Sequence, residues 1–415
     1  MNLTFKQILK KKILFILVQS GLIIFLALLY YFKTKTIGTK KRNAKNILVL
    51  NHQRFRGELE IISKFEGINL VYLPFSWYTR FLNIFFTHEQ RKLISLKKEK
   101  TNSNNRKEYH KFLTSFLKVY YKLNDIRGVF GASPFYKQDY DWGIISSKIK
   151  VPYIVMHKES IFDAKGHING LKKLFNSRKN FQGDHIFVHN ENVKRIWTDI
   201  KFVSKDKISV MGNIRMQKFY MIKKSKPIKY DMTLFSFGSG NGLSTVNNNK
   251  MWPNKNEIGF HSLCYKTHSE ILKLAKHNPK KKFCIKLKWG GTWINYLEKV
   301  ALDNKININK LKNLYLNYNH EKGEISHNLI LESKIIVGFN STTLIESIQK
   351  NKIVILPIFD EASKDFYKDF IFFFKENKYF HYARTYNKLC NLLNDGINNR
   401  LIKKYKINEK DKLFE

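Results

Sequence analysis

Short apolar runs alternate with charged, helix-patterned stretches along most of the chain. Asn46–Leu50, Ile68–Leu73, Gly128–Gly131, Val151–Met156, Asp184–His189 and Ile208–Asn213 read as strands in the first half. Met232–Phe237, Phe283–Lys288, Leu314–Leu316, Lys334–Val337 and Lys352–Pro357 read as strands in the second. Several of these runs are apolar at consecutive positions. That is the pattern of strands buried on both faces, as in a parallel sheet covered by helices. Helical stretches between them predict βαβ units. Residues 85–122 mix Lys, Arg and Glu with Leu, Phe and Tyr at helical spacing, and a helix opens at Arg56-Gly57-Glu58. The lysine-rich segment 220–231 reads as a linker between two α/β halves. The predicted divisions are an anchor and basic linker over 1–40, α/β domains over 45–220 and 230–390, and a charged helix and tail over 391–415.

The most specific stretch is Val337-Gly338-Phe339-Asn340-Ser341-Thr342-Thr343-Leu344-Ile345-Glu346, which joins two of the predicted strands. A strand, a Gly-x-Asn-Ser-Thr turn and a helix start place unpaired backbone N–H groups at a strand end, where the helix dipole favours an anion. Ser341 and Thr342 either cap that helix or bond a phosphate, and Glu346 falls one turn inside it. The segment resembles the nucleotide-binding half of GT-B glycosyltransferases. The resemblance implies two Rossmann-like domains facing a cleft, with the sugar nucleotide held by the C-terminal one. It implies that Ser341 and Thr342 face the diphosphate and Glu346 the ribose, and Asn340 on the same turn is a further candidate for nucleotide binding. Gly238-Ser239-Gly240-Asn241-Gly242 ends the first strand of the same half and is a second place for backbone to approach phosphate.

Ile13 to Phe32 carries no charge over twenty residues, enough to cross a bilayer as one helix. Lysines flank it on both sides, more heavily on the C-terminal side. This predicts an uncleaved anchor in the inner (cytoplasmic) membrane with a cytoplasmic body. A buried or interfacial helix that lies on the membrane is the alternative, since Gln19, Ser20 and Gly21 interrupt the run.

The chain has 415 residues, 43% of them hydrophobic, which suits two packed domains. It carries 75 basic and 33 acidic residues, a formal charge of +42. An anionic membrane and anionic substrates are the expected partners. Nucleic acid is not, because the lysines are dispersed and no nucleic-acid motif accompanies them. The joint abundance of Lys, Asn and Ile gives part of the charge a compositional origin. Cys264, Cys284 and Cys390 are scattered, without disulfide or zinc spacing.

Four further constellations could carry chemistry. Glu58 and His52, on the loop and helix after the first strand, are the candidate general bases for an acceptor hydroxyl. His157 and Glu159, past a later strand, resemble a His-Lys-Glu stretch of surface-carbohydrate biosynthesis proteins. Gly212-Asn213-Ile214-Arg215 resembles the GT-B crossover turn, whose cation faces the pyrophosphate; here that is Arg215. Lys286 and Lys288 stand where CDP-glycerol-type polymerases carry Lys-Pro-His-Pro, and the missing His-Pro argues against a close relative of those enzymes. Asp139-Tyr140-Asp141 is the only Asp-x-Asp spacing and reads as a loop without a strand before it, so no metal site is expected. No cofactor is expected beyond a nucleotide-sugar substrate. The resulting expectation is a metal-independent glycosyltransferase that moves a sugar from a nucleotide donor to a surface glycan or lipid-linked acceptor. A CDP-alcohol phosphotransferase, a 2-epimerase-like enzyme of the same fold and a non-catalytic scaffold binding glycan or membrane are the alternatives.

Overall fold

The computed structural model describes residues 16–402 except 19, 56, 94–102, 158–163, 215, 217–218, 220–225, 289–290, 319–323 and 376. The chain divides into two compact units. The first comprises Met1–Ser160 and Lys172–Lys218, the second Ile161–Leu171 and Phe219–Leu413.

Unit 1 is built on a seven-stranded sheet in the order β1-β3-β2-β4-β5-β6-β7. Its strands are β1 (Lys35–Ile37), β2 (Lys45–Val49), β3 (Ile68–Tyr72), β4 (Ile126–Gly131), β5 (Tyr153–Met156), β6 (His185–Val188) and β7 (Ile208–Val210). All neighbours run parallel except β1, an antiparallel edge on β3. The sequence pattern did not reveal β1, because Lys-Thr-Ile has no apolar run to read. Val49, Phe55, Leu59, Ile62, Leu70, Ala132 and Met156 form a core on one part of the sheet. Unit 2 has a six-stranded, wholly parallel sheet in the order β10-β9-β8-β11-β12-β13. Its strands are β8 (Tyr230–Phe235), β9 (Phe283–Lys286), β10 (Leu314–Asn317), β11 (Ser333–Gly338), β12 (Ile353–Pro357) and β13 (His381–Ala383). Every residue of β9 and β12 is buried, as their unbroken apolar runs predict. The expected architecture of two parallel-sheet α/β bodies is the observed one.

The membrane anchor is not. The apolar run turns at Gly21, whose φ is +71°, and the helix that follows is only Ile23–Tyr31. Nine residues rise about 14 Å, half of a bilayer core. No helix among the described residues is long and apolar enough to cross a membrane. Leu26, Ala27 and Tyr30 are fully buried. The Tyr30 ring stacks on Phe81 at 4.8 Å and meets Phe116 and Trp77 edge-on, and its hydroxyl donates to the Trp77 carbonyl at 2.9 Å. Leu26, Ala27 and Tyr30 thus join the unit-1 core, while Ile24, Phe25, Leu28 and Phe32 of the same run stay exposed. The inner-membrane placement and the cytoplasmic orientation inferred from the flanking lysines fall with the span. Residues 1–15 lie outside the described residues.

Candidate functional site

In a doubly wound sheet, ligands bind outside the strand C-terminal ends, where consecutive connections leave in opposite directions. In unit 2 that point lies between β8 and β11, since β9 and β10 are added on one side of β8 and β11 to β13 on the other. The two loops leaving it are the glycine-rich loop after β8 and the Phe339–Ser341 turn after β11. They are bonded to each other. The Asn241 side-chain amide donates to the carbonyls of Phe339 and Asn340 at 3.0 and 3.3 Å. The Asn340 amide donates to the carbonyls of Asn241 and Phe370, and its oxygen accepts from the Phe372 N–H at 2.8 Å. Asn340 holds a left-handed backbone, φ +46°, which asparagine tolerates better than most residues. Its side chain is thus spent on tying three loops together, where sequence reasoning had assigned it to a ligand. Gly242 sits against it with φ +85°, and a Cβ there would collide with the Asn340 amide.

Gly238, Ser239 and Gly240 are buried in the same knot. The Gly240 N–H donates to Met251 O at 2.9 Å, the Asn241 N–H to Gly238 O at 3.0 Å, and the Phe260 N–H to Ser239 O at 2.6 Å. Ser341 caps the helix Thr342–Gln349: its hydroxyl accepts from the Thr343 N–H at 3.3 Å and lies 2.7 Å from the Thr343 hydroxyl. Thr342 is the first helical residue. Glu346 is buried one turn in, with its carboxylate 3.5 Å from Nε2 of His327 on the helix Glu324–Glu332. His327 stacks on Phe219 at 4.3 Å. The Lys350 ammonium lies over the Phe219 ring at 4.9 Å, and burial holds its pKa below the usual lysine value.

Lys286 ends β9 beside Phe235 at the end of β8. Its buried ammonium donates to Leu287 O at 2.6 Å. Lys288 is exposed two residues on. Arg215 lies outside the described residues. Two residues that sequence reasoning missed stand at the same edge. Ser236, immediately after β8, has its hydroxyl 2.7 Å from Nε2 of the fully buried His268 on the helix His261–His277.

Unit 1 has its own reversal point, between β2 and β4. Asn51, His52 and Glu58 follow β2. His52 packs on Tyr72 at 3.8 Å between ring centroids, and burial, aided by Lys35, lowers its pKa. Glu58 is buried in the first turn of the short helix Glu58–Ile62. His157 follows β5 and packs against Trp197 at 4.5 Å and Phe135 at 6.1 Å, so its surroundings are those of an aromatic core. Glu159 lies outside the described residues.

Asp139-Tyr140-Asp141 departs from expectation. It lies in the first turns of the helix Lys137–Lys148, closely preceded by β4, not in a strandless loop. Asp141 is engaged by Arg106 at 2.8 Å and His110 at 2.7 Å. Asp139 is fully buried. Oδ1 accepts from the Tyr78 hydroxyl at 2.9 Å, and Oδ2 finds no hydrogen-bond partner among the described residues. Burial pushes its carboxyl up to about 7, against the opposing pull of Tyr78 and Arg54. This is the pKa range suited to proton transfer at neutral pH. The only sequence signal for it was the Asp-x-Asp spacing itself. No group of three or more His, Cys, Asp or Glu among the described residues could hold a metal ion. A recess of about 700 Å³ lined by Lys40, Lys41, Arg42, Lys45 and Arg127 lies at the opposite edge of this sheet, where the strands begin.

No protein-family model and no curated protein matches the sequence. Among solved structures the chain is similar to the UDP-GlcNAc 2-epimerase of Methanocaldococcus jannaschii, at 12% identity and a TM-score of 0.47, covering 88% of this chain and 96% of that one. It is also similar to a putative UDP-N-acetylglucosamine 2-epimerase of Listeria monocytogenes, at 9% identity and 0.48, covering 86% and 89%. A third is the UDP-forming α,α-trehalose-phosphate synthase of Burkholderia vietnamiensis, at 10% and 0.43, covering 86% and 92%. By their names the first two are UDP-N-acetylglucosamine 2-epimerases, the second of them putative, and the third is a UDP-forming synthase. Likeness at this level assigns neither ligand nor reaction to the chain.

Proposed function

We propose that the chain is an enzyme acting on a nucleotide sugar, with the nucleotide diphosphate held by unit 2 and the sugar passed to a glycan acceptor. The observation that supports this most is the composition of the β8/β11 strand ends. A serine-capped helix start, two loops locked together by Asn241 and Asn340, and the buried Lys286 ammonium share one edge of the sheet. Helix N–H groups and a lysine can neutralise a leaving diphosphate without a metal. Asp139, His52 and Glu58 are the acid–base candidates of unit 1. A neutral carboxyl at Asp139 suits a second reading equally well: epimerisation of the sugar, which needs proton transfer but no acceptor.

Calorimetric titration with UDP, GDP, ADP, CDP and their sugar conjugates tests the common part. One base series should bind, and Lys286→Met should weaken it roughly ten- to hundredfold, the range for losing a hydrogen bond to a charged group. Mass spectrometry of the products separates the two reactions. Nucleotide release that depends on added glycan marks transfer, and a stereoisomer formed without acceptor marks epimerisation. If the folded chain binds no member of the panel, the proposal fails.

A further inference from the structure

His268 is fully buried, its ring packed against Phe237 at 5.4 Å and Tyr296 at 5.7 Å. Nδ1 lies 2.7 Å from the Cys264 carbonyl one turn earlier in the same helix. A carbonyl only accepts, so Nδ1 carries the hydrogen. The Cys264 thiol does not compete for that role, because it donates to Phe237 O at 3.1 Å. Burial depresses the imidazole pKa to about 4, so the ring is neutral at pH 7. A neutral ring with hydrogen on Nδ1 has a bare Nε2. The Ser236 hydroxyl, 2.7 Å away, must therefore be the donor of that bond. Its single hydrogen is used, and the serine oxygen offers only lone pairs to anything else. The Ser236 N–H is also fixed, donating to Lys286 O at 3.0 Å. Ser236 is only partly buried. It stands one residue beyond Phe235, which pairs with Lys286 on one side and Gly338 on the other. That is the strand end at which consecutive connections leave in opposite directions.

We infer that Ser236 is a specificity residue of the unit-2 site, a fixed hydrogen-bond acceptor that selects a hydroxyl or N–H group of the ligand and turns away phosphate oxygens. The inference rests on the nucleotide-sugar reading and deepens it. Phosphate oxygens at neutral pH are almost purely acceptors, and two acceptors facing each other repel. Sugar hydroxyls, ribose hydroxyls and base N–H groups can donate. The anionic part of the ligand is thereby assigned to the Ser341 helix start and Lys286, and a neutral part to Ser236. His268 is a positioning residue: it touches no ligand and acts by fixing which way the serine hydrogen points.

The test is Ser236→Ala, titrated with the nucleoside diphosphate and the nucleotide sugar that the wild-type chain binds. The expected result is about a tenfold loss of affinity, the size of one hydrogen bond, measured at a temperature where both chains are folded, since the variant also leaves the buried His268 Nε2 without its donor and melts earlier. Loss for both ligands places the donor group on the base or ribose, and loss for the sugar conjugate alone places it on the sugar. Unchanged affinity for both overturns the inference while leaving the nucleotide-sugar reading intact. Binding of no nucleotide by the wild-type chain overturns that reading, and this inference with it. Should Ser236→Ala fail to fold, nitrogen-15 shifts of the wild-type His268 ring decide. Hydrogen on Nδ1 with bare Nε2 is expected, and hydrogen on Nε2 would make Ser236 an acceptor from the histidine and refute the assignment.

Discussion

Replacing Asp139 by asparagine should change how the stability of unit 1 depends on pH. Asp139 is wholly buried, with its carboxyl raised from 3.8 to about 7 by desolvation. A raised carboxyl favours the folded state while it is protonated. The unfolded chain begins to ionise it near pH 4, so stability falls as pH rises from about 4 and levels off above about 7. At 1.36 kcal/mol per pKa unit, the full loss is on the order of 4 kcal/mol, more than half of it between pH 5 and pH 8. Asparagine has the same shape and cannot ionise. Its oxygen can still accept from the Tyr78 hydroxyl that now bonds Oδ1 at 2.9 Å. Urea denaturation of the full chain and of Asp139→Asn at pH 5, 6, 7 and 8 isolates the group, because other titrations cancel in the difference. The variant should gain roughly 2–3 kcal/mol on the wild type across that range. A difference that does not vary with pH would mean that Asp139 ionises like a solvated acid. Its candidacy as a neutral proton donor would then be lost.

Two further expectations test the parts of the structure that frame the sites. Gly242→Ala forces a side chain into a left-handed backbone and against the Asn340 amide, so it should destabilise unit 2 by at least about 2 kcal/mol in thermal or urea unfolding. A wild-type stability would show that the Asn340 knot is not rigid. Tyr30→Ala should cost about 3–5 kcal/mol, as expected for a fully buried aromatic stacked on Phe81. A cost under about 1 kcal/mol would show that the helix Ile23–Tyr31 is not part of the core.

Periodicity alone was enough to read most of the strands and the two α/β bodies. Parallel strands buried on both faces announce themselves as apolar runs, and β9, β11 and β12 are such runs. The Gly-x-Asn-Ser-Thr turn and its capped helix were legible for the same local reason: an N-cap bond spans only a few residues. Strands β1 and β13 were not legible, since three residues at a sheet edge need no continuous apolar pattern. The apolar run from Ile13 to Phe32 shows a sharper limit. Hydrophobicity does not say which side chains of a run meet a partner; the packing of Tyr30 on Phe81 and Phe116 puts one face of the helix in the core, while Ile24, Phe25 and Phe32 stay exposed.

The chemistry of the sites was decided by tertiary structure. Asn340 and Glu346 had the right residue types for a ligand. Yet the Asn340 amide is used by Asn241, Phe370 and Phe372, and Glu346 lies against His327. Asp139 read as half of an unconvincing metal pair and became a protonatable acid because the fold buries it beside Tyr78, 61 residues away in sequence. Ser236 carried no signal at all. Its role follows from a histidine 32 residues away whose other nitrogen is committed to a carbonyl. Backbone pattern is set by neighbours along the chain, so the sequence determines it openly. Proton affinity and hydrogen-bond direction are set by desolvation and by partners brought together across the chain, and these exist only once it has folded.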